Sequence, residues 1–275
     1  MSKEAFEESR TQGNPDALYL FSVGGRSYPY TDYERELTIE GITYQPIAID
    51  RDSINTSGTL DKSQLRVRMP RSEDIPQLFR IFPPSDVVSL IIYEGHHEDP
   101  DLQFLCIWSG RVLGCGHQGT TAELTCEPVS TSLRRSGLRR RWQYTCPLVL
   151  YGAECGLNKD DHFITTTASA MQGAYMSFSA GWNGSYDAAR FVGGVVSWTY
   201  DGAIYMRSIL KVDAANNKLL LDGVVQNISV GASVKVYLGC AHTLSACTEL
   251  GNILNFGGQE SIPKQNPIGY ANRFF

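Results

Sequence analysis

The sequence predicts a mainly β protein, with an N-terminal β-rich domain and a C-terminal small β-barrel or sandwich flanked by a four-cysteine metal site. Three observations lead to this fold class. Short apolar or alternating runs recur along the chain and are separated by glycine, Asn-Asn or Asp-Gly turn signals. One short segment alone has a convincing helical composition. Two pairs of cysteines bracket the second group of strand-like runs.

The N-terminal half reads as a series of strands. Residues 34–49 predict a hairpin around Glu40-Gly41, because two residues that tolerate positive φ favour a tight turn. The other predicted strands lie in 17–31, which holds two strands and a glycine turn, and in 64–70, 87–95, 102–114 and 119–129. Residues 72–82 predict a helix capped by Ser72 and stopped by Pro83-Pro84.

The second half, 157–239, is again rich in strand signals, and Asp201-Gly202 marks another tight hairpin. Several short strands at this spacing predict a small barrel or sandwich. A closed barrel brings its two ends together, so the segments that flank it are expected to meet at its base. The predicted domains are therefore 1–145 and 146–275, with the β insertion at 157–239 inside the second.

Four cysteines form the predicted metal site. Cys146 and Cys155 are separated by eight residues and Cys240 and Cys247 by six, and the stretch between the two pairs contains no cysteine. Four converging thiolates can hold a [4Fe–4S] cluster or a tetrahedral zinc ion. Loops of this length are loose for a zinc knuckle, which favours a [4Fe–4S] cluster over zinc or a two-iron cluster. The remaining alternative is that these cysteines bind no metal and pack as small apolar side chains.

The other three cysteines lack a paired spacing. Cys106, Cys115 and Cys126 are spread over predicted strands, so we expect them to pack in the core rather than bind a metal.

Composition restricts the class of protein. The chain has 275 residues, a net charge of −5 and a pI of about 5.6, which argues against a general nucleic-acid binder. The N-terminus lacks the apolar core of a signal peptide, and no apolar run is long enough to cross a bilayer. Seven cysteines without an export signal indicate a chain made in a reducing cytoplasm, where metal ligation is more common than disulfide bonding.

Several motifs together resemble the tail hub proteins of siphovirus-like particles, a family that includes those of gene transfer agents and the tail-tip L protein of phage lambda. The N-terminal part of the resemblance consists of Tyr30-Thr31, the run 41–44 and Pro46. The more specific part lies in the cysteine-bearing half and consists of Arg140, Arg141, Gln143, Cys146, Leu150, Tyr151, Cys155, Gly156, Cys240, Cys247, Phe256, Gly257, Gly258 and Pro263.

The resemblance implies a non-enzymatic structural protein of the virion, made in the cytoplasm of a bacterial host. Members of the family form a ring, usually a homotrimer, that joins the tail tube or distal tail protein to the central fibre or tip protein. By this resemblance residues 1–145 would build the ring and dock on the tube. The four cysteines would hold an iron–sulfur cluster, although His242 could replace one thiolate. DNA would pass through the assembly without being specifically bound.

Other candidate sites carry weaker signals. Arg134, Arg135, Arg139, Arg140 and Arg141 form a dense basic run, which we interpret as an ion-pairing or solvated face rather than a DNA contact. The cluster 96–99 (His-His-Glu-Asp) resembles a metal site but falls in a polar turn, where such side chains are usually hydrated.

No catalytic motif stands out, and Cys115 and His117 are too close in sequence on strand-like chain to predict a nucleophile–base pair. The alternatives are an iron–sulfur redox protein and a host-glycan-binding β-sandwich. In the latter, Trp182 would be the exposed contact, whereas Trp198 is expected in the core.

Overall fold

The computed structural model of the chain describes residues 6, 8–9, 15–54, 64–134, 137 and 142–262, and the side chains at 132–134 are not among those described. The chain divides into two compact units, Met1–Arg135 and Ser136–Phe275. The boundary predicted from the sequence is ten residues later, after residue 145, and so assigns the segment 136–145 to the first domain. Within the described ranges, no helix is long and apolar enough to cross a membrane.

The first unit contains a mixed sheet. Its strands are β1 (Asp16–Val23), β2 (Arg26–Thr31), β3 (Leu37–Ile39), β4 (Ile42–Pro46), β5 (Asp50–Arg51), β6 (Leu65–Pro70), β7 (Ser89–Gly95), β8 (Leu105–Gln118) and β9 (Thr121–Pro128). Their order is β3-β4-β2-β1-β7-β8-β9-β6-β5, and β2 and β4 pair in parallel while the other neighbours pair antiparallel. The strands predicted from the sequence are confirmed, including the β3–β4 hairpin, in which Glu40 and Gly41 both have positive φ.

Alternation along the strands places the core of this unit on one face of the sheet. In β6 the buried positions are Leu65, Val67 and Met69, whereas the intervening Arg66 and Arg68 carry polar side chains on the other face. Arg68 forms ion pairs there with Asp50, Asp52 and Glu123. These pairs are well exposed, so burial of the apolar face supplies most of the stabilisation.

The helix in this unit is shorter than predicted. It spans Asp74–Leu78, and Glu73 rather than Ser72 occupies the N-cap position, without a side-chain capping bond. The helix ends well before Pro83-Pro84. The amide of Phe79 donates to the carbonyl of Pro76, three residues earlier, so the last turn is of the narrower 3₁₀ type. At this point the side chain of Phe79 packs into the core.

The second unit contains a closed six-stranded barrel, one of the two architectures predicted from the sequence. Its strands are β10 (Phe163–Gln172), β11 (Tyr175–Phe178), β12 (Val195–Tyr200), β13 (Ala203–Asp213), β14 (Lys218–Leu221) and β15 (Ser233–Tyr237). They close in the order β10-β11-β14-β13-β12-β15, and β15 pairs with β10. Phe163, the first residue of the barrel, lies directly opposite Tyr237, the last. The chain therefore enters and leaves the barrel at one place.

Several aromatic side chains pack among the aliphatic residues in the core of the second unit. Trp198 is buried, as expected, and stacks on Tyr205. The prediction that Trp182 is exposed is wrong, because its ring is 6% exposed and lies 5.1 Å from the ring of Phe178 and 5.0 Å from that of Phe191. The turn that carries Trp182 folds inwards because its large apolar ring gains more by burial than it would gain on the surface.

Candidate functional site

The four paired cysteines line one pocket in the second unit. Cys146, Cys155, Cys240 and Cys247 all contribute to its wall, together with Leu150, Leu157, His242, Thr243, Leu250, Asn252 and Asn255. The barrel explains this convergence. Since Phe163 and Tyr237 are paired, the segment that follows Cys155 and the segment that precedes Cys240 run side by side. The hydrogen bond from the amide of Leu238 to the carbonyl of His162 extends this pairing by one step towards the cysteines.

The first cysteine pair lies on a compact loop that is tied to the second. The amide of Cys146 donates to the carbonyl of His242, at 2.8 Å. The phenol of Tyr151 donates to the carbonyl of Leu238, also at 2.8 Å. The amide of Gly156 donates back to the carbonyl of Gly152 and closes the loop just after Cys155. These bonds hold the loop against the end of the barrel.

The second pair is placed by a short helix, Leu244–Glu249, which carries Cys247. The hydroxyl of Thr243 caps the helix by accepting from the amide of Ala246. At the other end, Gly251 has a φ of +69° and its amide bonds the carbonyl of Thr248, while the amide of Asn252 bonds the carbonyl of Cys247. This pair of bonds is a Schellman motif, which requires the left-handed conformation that glycine adopts without strain.

Loss of the Thr243 cap should measurably destabilise the second unit. We expect Thr243→Ala to lower the free energy of unfolding by about 1 kcal/mol, because one amide of the first helical turn loses its acceptor. Urea unfolding of the metal-free protein, followed by fluorescence, measures this change. Thr248→Ala in the same helix is the matched control, since Thr248 only bonds back to the carbonyl of Leu244 and alanine favours the helix. Equal destabilisation by both changes would contradict the capping role.

The four thiols are close enough to influence one another electrostatically. Burial raises the pKa of Cys247, and negative charge on Cys240, Cys146 and Cys155 raises it further. A thiolate is the form that binds metal, and four thiolates in one pocket repel each other. The raised pKa keeps Cys247 a neutral thiol at neutral pH, so a metal that binds there displaces its proton.

The donor set, four thiols around one pocket, has the chemistry of a thiolate-bound metal group. Among the described residues, no three His, Cys, Asp or Glu side chains approach one point closely enough to bind a single metal ion. Zinc bound by sulfur at about 2.3 Å requires such an approach. His242 lines the pocket, yet its backbone makes the clearest contacts: its carbonyl accepts from Cys146, and its amide donates to the sulfur of Cys240 at 3.4 Å.

The glycine-rich stretch noted in the resemblance packs against the first cysteine loop. A Cβ on Gly257 would lie 2.8 Å from Cγ of Leu148, and one on Gly258 would lie 2.7 Å from the carbonyl oxygen of Tyr144. The amide of Gln259 donates to the carbonyl of Gln143. The absence of side chains at both glycines therefore permits the close contact that brings residues 143–148 and 256–259 together.

The remaining cysteines belong to the first unit. Cys126 is fully buried, and burial raises its pKa to about 12, in agreement with the predicted core role. Cys115 packs at the edge of the core on β8. The same prediction is wrong for Cys106, which is exposed because it points to the outer side of β8.

Cys115 should be a poor nucleophile at neutral pH. Its sulfur lies 4.0 Å from Nε2 of His117, but burial raises the pKa of the thiol to about 11, so the reactive thiolate is scarce. We expect alkylation of Cys115 by iodoacetamide at pH 7.5 to be ~100-fold slower than that of an unperturbed cysteine, and to keep rising up to pH 10–11. Peptide mass spectrometry over a pH series measures this. A rate plateau near pH 8 would show that His117 activates the thiol.

The cluster at 96–99 is structural rather than simply hydrated. His96 and Asp99 are both buried, and the ring of His96 stacks on Phe6 at 5.2 Å. The carboxylate of Asp99 accepts from the amide of Asp101, and Nδ1 of His97 lies 2.7 Å from the carboxylate of Asp16. These contacts close the turn between β7 and β8 and tie it to the start of β1.

Two features fall outside the described part of the chain. The side chains of the basic run, Arg134, Arg135, Arg139, Arg140 and Arg141, are not described, and neither is Pro263. Their predicted roles stay predictions.

Asn252 and the backbone of His242 are site residues that sequence reasoning missed. Asn252 follows Gly251, so the helix-ending Gly-Asn signal marks a turn there. That signal gives no hint that the turn reaches a cysteine almost a hundred positions earlier.

Comparison with known proteins gives three findings. Residues 189–266 match the family described as phage conserved hypothetical protein BR0599. An uncharacterised protein of Xylella fastidiosa (strain 9a5c) is 24% identical over 229 residues, which is 74% of this chain and 46% of the relative, so the chain spans less than half of that relative's length. A chain in the structure of the virion of a native gene transfer agent particle has a TM-score of 0.78, with 17% identity over 99% of this chain and 96% of that chain.

These findings agree with the phage resemblance in its coarse form. The family match is to a phage family and covers the last barrel strands and the second cysteine pair. The structural match covers nearly the whole chain, and at this identity it shows a shared fold. The resemblance to the lambda tail-tip protein and the iron–sulfur ligation stay predictions.

Proposed function

We propose that this protein is a structural component of a phage-like virion, and specifically the hub that joins the end of the tail tube to the distal tip. The observation that carries the proposal is the match of both units, over nearly their full length, to one chain of a gene transfer agent virion. The match of residues 189–266 to a phage family supports the same class of particle. The expected partners are the tail tube or distal tail protein, the central tip protein and two further copies of this chain.

Exposed apolar side chains beside the cysteine pocket support assembly with partners. Trp142 is 83% exposed, Val149 76% and Leu254 97%, and all three lie on segments that surround the cysteines. Large apolar side chains left exposed in this part of the sequence are candidates for contact with a partner.

The four cysteines are proposed to hold a [4Fe–4S] cluster. Four thiols around one pocket supply the ligand set of such a cluster, and the eight- and six-residue spacings within the cysteine pairs favour a bulkier group over zinc. When bound, the cluster would supply four metal–sulfur bonds that cross-link the two cysteine loops. We assign it a structural role, because ligand bonds of this kind contribute directly to folding free energy.

The two alternative functions have less support. The glycan-binding alternative depended on an exposed Trp182, which is buried. The redox alternative requires a second cofactor or a partner that exchanges electrons with the cluster. One surface pocket of the first unit is lined by the Arg111–Glu127 ion pair together with Gly110 and Val129, a set without a recognisable cofactor-binding motif.

Localisation in purified particles tests the hub role. We expect immunogold labelling to mark one end of the tail and quantitative mass spectrometry to find a few copies per particle. A tail tube protein serves as the internal standard for copy number. Finding the protein free in the cell lysate and absent from particles would overturn the virion role and favour the redox alternative.

A further inference from the structure

One residue, Asn252, contacts both cysteine pairs. Its Nδ2 donates to the carbonyl of Cys155 at 2.7 Å and lies 3.4 Å from the sulfur of the same residue. Its backbone carbonyl accepts from the thiol of Cys247 at 3.1 Å. A single residue thereby connects one ligand of the first pair with one ligand of the second.

The orientation of the Asn252 amide is fixed by its neighbours. Oδ1 accepts from Nδ2 of Asn255 at 2.8 Å, which leaves the NH₂ group of Asn252 directed at Cys155. Asn255 reaches this position because residue 156 is glycine: a Cβ there would lie 3.1 Å from Nδ2 of Asn255, and the φ of Gly156 is +67°.

The backbone of Asn252 is fixed as well. The Schellman motif at Gly251 sets the direction in which the chain leaves the helix of Cys247, and the amide of Asn252 is one of its two donors. Both the side chain and the main chain of Asn252 are thus held by hydrogen bonds within the protein.

We propose that Asn252 is the positioning residue of the cysteine site: it orders Cys155 against Cys247 in the metal-free chain, and its N–H group then hydrogen-bonds the sulfur of Cys155 when a cluster is present. This inference deepens the proposed function. Only the hydrogen bond to a cluster-bound sulfur rests on that function; the ordering of Cys155 against Cys247 does not. Hydrogen bonds to ligand sulfurs raise the reduction potential of an iron–sulfur cluster, and added negative charge lowers it.

Two substitutions in the full chain separate these parts. Asn252→Asp keeps the acceptor that Asn255 uses but removes the donor to Cys155 and introduces charge, whereas Asn252→Ala removes both groups. Asn183→Asp is the matched control, because the side chain of Asn183 also donates to a backbone carbonyl, that of Tyr186, on a turn that does not line the cysteine pocket.

Hydrogen exchange of the reduced, metal-free chain is the first measurement. We expect amides in 150–158 to exchange about tenfold faster in both Asn252 variants, from the loss of one or two hydrogen bonds. Exchange in the barrel strand β10 should stay unchanged and serves as the check that each variant folds. Unchanged exchange in 150–158 would overturn the proposal, whatever the iron content.

The second measurement uses protein reconstituted anaerobically with iron and sulfide. Release of iron to a chelator should be faster in both variants, and the reduction potential should fall in the order wild type, Asn252→Ala, Asn252→Asp. Equal potentials in all three would refute the hydrogen bond to sulfur, since a purely structural link leaves the potential unchanged. Wild-type chain that takes up no iron would overturn the cluster itself, and hydrogen exchange then decides alone whether Asn252 joins the two loops.

Discussion

Replacing any one of Cys146, Cys155, Cys240 and Cys247 by serine is expected to abolish binding of the iron–sulfur cluster. Each of the four lines the same pocket, and the charge on each of the others affects the thiol of Cys247. Serine is close in size to cysteine but offers a poor ligand for iron, so the loss should be nearly complete rather than graded. Iron and sulfide analysis of anaerobically reconstituted protein, together with absorbance at about 400 nm, measures the result.

The remaining cysteines supply the controls. Cys106→Ser changes an exposed residue in the first unit and should leave iron content and stability unchanged. Cys115→Ser should also retain iron, although this side chain is partly packed against the core. Loss of iron in Cys115→Ser equal to that in Cys155→Ser would show that the four-cysteine assignment is wrong.

The barrel could be predicted because its signals are local. Turn pairs such as Asp201-Gly202 adopt positive φ at both positions, and β12 and β13 on either side of this pair form an antiparallel hairpin. The number of short strands predicted a small barrel or sandwich, and the closed barrel among these two alternatives places the cysteine pairs together without any information on side-chain contacts.

Features that depend on distant partners could not be predicted. Trp182 is buried by packing on Phe178 and Phe191, a contact that the composition of its glycine-containing turn does not indicate. The bond between Asn252 and Cys155 joins residues 97 positions apart, and asparagine in a turn carries no signal of such a partner. The helix starting at Asp74 ends early because Phe79 enters the core, an outcome of packing rather than of local propensity.

Removal of the cluster should free the two cysteine loops from each other. The proposed metal–sulfur bonds connect positions on either side of the whole barrel, and closing a loop of this length stabilises the folded chain by about 4 kcal/mol, by analogy with a disulfide. The free energy of unfolding of a domain is roughly 5–15 kcal/mol, so the cross-link would supply a large part of it. The hydrogen bonds of Asn252 and Tyr151 stay in place, so the loops should open more often rather than unfold permanently.

Limited proteolysis with trypsin tests this expectation at one bond. Lys159 is exposed and lies in the short 3₁₀ helix Lys159–Asp161, between Cys155 and the first barrel strand. We expect cleavage after Lys159 to be an early event in cluster-free protein and slow in cluster-bearing protein, while Lys211 within β13 stays protected in both. Equal cleavage rates at Lys159 in the two forms would contradict the role of the cluster as a cross-link.

Incorporation into tails distinguishes a structural cluster from a redox sensor. Oxidation or reduction by one electron leaves the four sulfur ligands bound, so the connection between the loops persists and incorporation into tails should be unchanged. Loss of the cluster breaks that connection, and incorporation should fall in step with cleavage at Lys159. If incorporation instead followed the redox state while iron content stayed constant, the cluster would be a sensor, because only its charge and not its bonding would have changed.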